Sequence, residues 1–137
     1  MLAQGSRPQL NQALDARIQT ETMKTQRQIK AQAAAGDVAA QCRLAWILMS
    51  AETRAGYARA LPLLRRAARA GERWAEYHLG LIYDKGLAGR RDVRRAVKWY
   101  ERSASKGYDS AQLNLGIILA NRRGRHRDLR RAIHLYR

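Results

Sequence analysis

The sequence predicts an all-α protein, a solenoid of antiparallel helix pairs with about three repeats behind an N-terminal capping helix. Three observations carry that prediction. The stretch 75–107 reads as two helices and a turn. Ala75, Leu79, Ile82 and Tyr83 form one apolar stripe, and Val93, Ala96, Val97, Tyr100 and Ala104 form a second. Gly86 and Gly89 break the pattern between them, Asp92 is placed as an N-cap, and Gly107 ends the second helix. One such hairpin cannot bury both stripes, and the chain supplies copies: Gly36, Gly71 and Gly107 bring Ala40/Ala75/Ala111, Leu44/Leu79/Leu115 and Ile47/Ile82/Ile118 into register. The second helices align through Ala60, Ala96 and Ala132, giving a period of 35 and then 36 residues.

Taken in order, residues 1–8 are expected to be disordered and 9–35 to form a polar, glutamine-rich helix with a thin apolar line at Leu10, Leu14 and Ile18, resuming at Ile29 and Ala33. Its end, IKAQAAAG, matches the ends of the later second helices, so it reads as a lone second helix capping the solenoid. The repeat domain occupies 36–137, with repeats at about 36–70, 71–106 and an incomplete 107–137. Its helices are expected at 37–50, 57–70, 73–84, 92–106, 109–121 and 128–137, with Pro62 in the first turn or so of its helix. The last helix stops one residue after Tyr136, about two turns short of its sibling. The outer sides of Leu129, Ile133 and Tyr136 should then be open to another copy, to a partner subunit or to more of a longer solenoid.

The run Ala75, Leu79–Gly80, Tyr83, Gly86, Asp92, Arg95–Ala96, Trp99–Tyr100, Ala104 and Gly107 resembles a Sel-one-like repeat, a relative of the tetratricopeptide repeat with a slightly longer period. The third repeat keeps Ala111, Leu115–Gly116, Asp128, Arg131–Ala132 and Tyr136. The first departs most, with Ala45 for the glycine, Leu48 for the tyrosine and a shorter turn. The resemblance covers about residue 32 to the end. It implies a right-handed helical solenoid that serves as an interaction scaffold, and it names no partner.

Bulk properties agree with that class. The 137 residues make one domain, phenylalanine is absent, and no apolar run is long enough to span a membrane. The N-terminus lacks the basic start and apolar core of a secretory signal, and the lone Cys42 cannot form an internal disulfide. A cytoplasmic location is expected, with a periplasmic or secreted one open should a signal have been trimmed away. The net charge of +16 is uneven: residues 1–86 hold 13 basic and 7 acidic side chains, and residues 87–137 hold 14 and 4. This is either a solvated face or a docking surface for an acidic protein, an anionic lipid surface or nucleic acid. Within it, Arg59, Arg95 and Arg131 share one repeat position. Arg91 and Arg127 pair one turn earlier, with Arg94 and Arg130 beside them; together with Arg90 these define an expected basic edge.

Catalysis finds no support. His78, His126 and His134 have no histidine or cysteine at i+3 or i+4, KGLAG lacks the rest of a phosphate loop, and Cys42 has no nearby histidine. No cofactor and no metal are expected. The resemblance instead points to a concave groove: the ligand-facing positions of related tetratricopeptide helices fall on Ala39, Cys42, Trp46 and Met49, on Trp74, Tyr77, Leu81 and Asp84, and on Ser110, Leu113, Ile117 and Ala120. Most of these are apolar or aromatic, which suits partner anchors; packing between helices, or cover by the N-terminal helix, is the competing account. Two functions follow. One is a protein–protein adaptor with an apolar groove and an arginine-rich edge for an acidic partner, of which a bacterial immunity or effector-binding protein is a variant. The other is a nucleic-acid-binding module through the basic edge.

Overall fold

The computed structural model describes residues 3–121, with side chains from residue 8 onward. The helix expected at 128–137, with Leu129, Ile133, Tyr136 and the arginines at 127, 130 and 131, lies outside the described residues. Six helices are described, and no strand: α1 (Ala3–Ala34), α2 (Val38–Met49), α3 (Arg54–Arg69), α4 (Arg73–Lys85), α5 (Val93–Ser105) and α6 (Asp109–Asn121). Each packs on its sequence neighbour, and α4 also touches α6. Contact that runs from neighbour to neighbour is the arrangement of a stacked-repeat solenoid.

The repeat junctions are three copies of one device. Gly36, Gly71 and Gly107 take positive φ of 100°, 91° and 79°. At each, the glycine N–H donates three residues back, to the carbonyls of Ala33, Ala68 and Ala104. The next residue's N–H donates five back: Asp37 to Gln32, Glu72 to Ala67 and Tyr108 to Ser103, at 3.0, 3.1 and 3.2 Å. This is the double closure of a Schellman motif, and it requires a residue that tolerates left-handed backbone. Side chains cap the helix starts: Asp37 accepts from Ala40 N–H at α2, Thr53 from Gly56 N–H at α3, Glu72 from Trp74 N–H at α4, and Asp92, as expected, from Arg95 N–H at α5.

The core is thin and alanine-rich. Ala45, Ala60, Ala67, Ala75, Ala96 and Ala111 are fully buried together with Leu64, Leu79 and Tyr100. Small side chains let the helices approach closely, and the large ones fill the remaining space. The α1 helix docks through Ile29 and Ala33 against Ala40, Leu44, Ile47 and Leu63. Its earlier apolar line stays in solvent, with Leu10, Leu14, Ile18 and Met23 all exposed.

The α1 helix is described from Ala3 and takes in Pro8. One expectation is corrected. The α3 helix begins at Arg54, a turn earlier than expected, because Thr53 caps it. Pro62 is therefore in the helix interior, at an exposed position.

Candidate functional site

The first helices of the repeats, α2, α4 and α6, carry the expected groove positions, and the structure divides these into surface and core. Trp46, Leu113 and Ile117 are 58%, 47% and 44% exposed. Cys42, Trp74, Tyr77 and Leu81 are half-buried. Met49 belongs to the core, not to the groove. The reason is the short link from α2 to α3, residues 50–53, against residues 86–92 in the next repeat. It draws the start of α3 across the end of α2 so tightly that a β-carbon on Gly56 would strike the Leu48 carbonyl oxygen.

Asp84, the fourth groove position of α4, is likewise buried. It accepts a hydrogen bond from the Tyr100 hydroxyl at 3.2 Å, and Asn114 Nδ2 donates to the same hydroxyl at 3.3 Å. Arg91 closes this network, donating from Nε to the Asp84 carbonyl at 2.8 Å with its guanidinium 3.6 Å from the carboxylate. A repeat position that faces ligand in related helices thus serves here to tie α4, α5 and α6 together.

What surrounds Trp46 is an aromatic row. Its indole meets the Trp74 ring edge-on at 6.4 Å, and the His78 ring at the same distance. Trp74 and His78 lie 4.3 Å apart, Tyr77 contacts His78 at 5.0 Å, and Tyr108 continues the row 5.1 Å beyond Tyr77. Edge-to-face and tilted rings at such separations attract one another beyond simple burial. Burial lowers the His78 pKa to about 4, so the imidazole is neutral at physiological pH and acts as one more ring of the row. Beside Trp46 and Trp74, a shallow depression of about 490 Å³ is lined by Ala39, Cys42, Arg43 and Glu72. Burial, and secondarily the charge of Glu72, pushes the Cys42 thiol up to about 11, which keeps it protonated and apolar in character.

His78, Tyr108, Arg43 and Glu72 were not among the expected site residues. The i, i+4 spacing of Trp74 and His78 already places them on one helix face and could have flagged the histidine. Cover by the N-terminal helix, the competing account, does not hold for Trp46, which keeps most of its surface while α1 packs on the Ala40–Leu44–Ile47 side of α2.

The expected basic edge is partly regrouped. Arg59, Arg90 and Arg94 are exposed. Arg91 is committed to Asp84. Arg95 pairs with Asp92 at 3.5 Å and turns toward Tyr83, in company with cations the sequence did not single out. Among the described residues no group of three or more histidine, cysteine or carboxylate side chains could hold a metal, and no helix is long and apolar enough to cross a membrane.

Fold and surface together define a helical-repeat scaffold, a class whose members present an extended face to other macromolecules. The chain belongs to the Sel1 repeat family, whose profile matches residues 38–72, 75–108 and 109–137. Proteins of this family generally mediate protein–protein interaction on a non-catalytic scaffold. Among solved structures, the chain is similar to a protective antigen of uropathogenic Escherichia coli strains displaying an SLR fold, at 23% identity and a TM-score of 0.69. It is also similar to a Sel1 repeat protein from Oxalobacter formigenes, at 30% identity and a TM-score of 0.68. Each match covers 81% of this chain but only 25% and 45% of the respective structures, so the chain spans less than half the length of either. A search of curated proteins found no match.

Proposed function

We propose that the α2–α4–α6 face docks a segment of a partner protein, anchored in the depression beside Trp46 and extending along Leu81, Leu113 and Ile117. The observation that carries this reading is Trp46 itself. A tryptophan 58% exposed, held edge-on by Trp74 and next to an apolar hollow, is costly to leave in water unless something covers it. Aromatic anchors seated beside preformed pockets dominate the energetics of such interfaces, and the rigid row behind Trp46 spares much of the ordering cost. The surplus of arginine favours a partner with an acidic surface, acting mainly on the association rate.

The test is quantitative capture from the native host with the parent protein and Trp46→Ala. Proteins enriched by the parent should lose about tenfold or more in the variant, as for removal of an anchor worth ~2 kcal/mol. Thermal unfolding should stay nearly unchanged. Identical captured sets would refute the reading, and a large fall in melting temperature would reassign Trp46 to packing. Capture that survives moderate salt separates this groove from a phosphate-tracking nucleic-acid surface, whose affinity collapses with salt.

A further inference from the structure

On the side of the second helices, a basin of about 490 Å³ opens between α3 and α5, over the end of α4, sharing no residue with the aromatic face. Its walls carry five cations: Arg65, Arg69, Arg95, Lys98 and Arg102. One of them, Arg95, lies 3.5 Å from the Asp92 carboxylate. Such a convergence of like charge is unfavourable unless an anion joins it.

The way these cations are held is specific. Arg65 donates to the Tyr83 hydroxyl at 2.7 Å, and Arg95 lies over the ring of that same tyrosine, 5.5 Å from its centre. Arg102 lies over the Trp99 ring at 4.9 Å. A phenol and two π faces therefore orient three guanidinium groups, and neither a phenol nor a ring neutralises the charge it holds.

We propose that this basin binds a multiply charged phosphoryl group, a phosphomonoester or an oligophosphate. A carboxylate brings one charge and two oxygens, too little for five cations around one cavity. A phosphomonoester brings a charge near −2 and three strong acceptor oxygens, which suits several arginine forks at once. The cations face one another across one hollow: Arg95, Lys98 and Arg102 follow one face of α5, and Arg65 and Arg69 follow the facing side of α3.

The experiment is titration calorimetry of the full chain with sodium tripolyphosphate, with citrate as the carboxylate control, at low and at near-physiological salt. A phosphoserine peptide and its unphosphorylated form make a second arm, and a single-stranded oligonucleotide a third. Saturable tripolyphosphate binding, at least tenfold tighter than citrate, is the expected result. Arg69→Gln combined with Arg102→Gln should weaken it tenfold or more. Arg27→Gln combined with Lys30→Gln, which removes the same charge from α1, should change it less than twofold. Should the double variant melt early, Lys98→Glu at an exposed position gives the same reading. Tighter binding of the phosphopeptide than of tripolyphosphate assigns the phosphoryl group to a modified protein; the reverse assigns it to a free oligophosphate. Equal affinity for citrate, equal losses in the α1 control, or oligonucleotide binding that outcompetes both phosphoryl probes would each overturn the proposal.

Discussion

The ring of Tyr100 occupies the space that a side chain on Gly80 would need: a β-carbon built there would lie 2.5 Å from ring carbon Cδ1. Tyr100 is fully buried, and its hydroxyl is fixed by Asp84 and Asn114, so the ring cannot swing aside. The glycine is therefore what lets α4 and α5 close on each other. Gly80→Ala should destabilise the protein by about 1–3 kcal/mol despite its better helix propensity, as overpacking does. Chemical denaturation measures this, and a neutral or stabilising effect would show that the helix pair has room to spare.

The second prediction concerns a register position that changes partner between repeats. Gln41 and Gln112 donate to the carbonyls of Ala33 and Ala104 on the preceding helix, both at 3.2 Å. Their equivalent in the middle repeat is Glu76, 2% exposed, which cannot donate and instead takes Lys106 Nζ at 2.7 Å. Lys106 also donates to the Gly71 carbonyl, and Arg73 donates to the Lys106 carbonyl, so the pair clasps two repeat junctions. Lys106→Met should cost about 2–3 kcal/mol by stranding a buried carboxylate, less than for a fully buried pair because the ammonium is partly solvated. Adding Glu76→Gln should recover part of the loss, since an amide at this register can donate to the preceding helix. Two costs that simply add would show the residues to be uncoupled.

The aromatic row predicts a pH dependence. The folded-state pKa of His78, about 4, lies below its ordinary 6.5, so between these values the unfolded chain binds the proton and the folded one does not. Stability must then fall as pH drops from about 6.5 toward about 4, by up to about 3 kcal/mol, and His78 contributes no dependence above that window. His78→Phe keeps a ring against Trp74 and removes the proton. The parent and variant should differ in the slope of melting temperature against pH between pH 5 and 6.5, the variant being flatter. Parallel slopes would mean that solvent reaches the imidazole.

Cys42 should react slowly. With its thiol held near 11, the thiolate at pH 8 is roughly 100-fold scarcer than for a free cysteine, and the rate of labelling by a disulfide reagent should fall accordingly. Labelling as fast as in the unfolded protein would place the thiol in open solvent. Slow labelling restored by Glu72→Gln alone would make the neighbouring charge, not burial, the dominant cause.

Local features of this chain were legible because each rests on one or two residues. Glycine at 36, 71 and 107 announces left-handed backbone, and the three helix ends there close in the same way. Asp92 caps the helix it was expected to cap, and the aligned alanines among the described residues, Ala40, Ala60, Ala75, Ala96 and Ala111, are buried. The start of α3 was less legible, because Tyr57 is the first apolar residue of its stripe while the capping Thr53 lies a turn earlier on a polar stretch.

Periodicity, turn glycines and small residues at fixed spacing act within a single hairpin, so the repeat, its period, the helix pairs and the family can be read along the chain. Which face each side chain serves depends on how the helices pack. Met49 and Asp84 sit at the same kind of position as Trp46, yet a short link buries the first and a three-helix network claims the second. Arg95 was legible as one arginine in a repeating line; that it stands over Tyr83 beside Arg65 and opposite Arg69 depends on how α3 and α5 come to rest across α4. Positions 30 residues apart in the chain have no spacing rule to reveal them. Their meeting is fixed by the angle and distance at which one repeat packs on the next, and that is set by the summed volumes of the small residues between them.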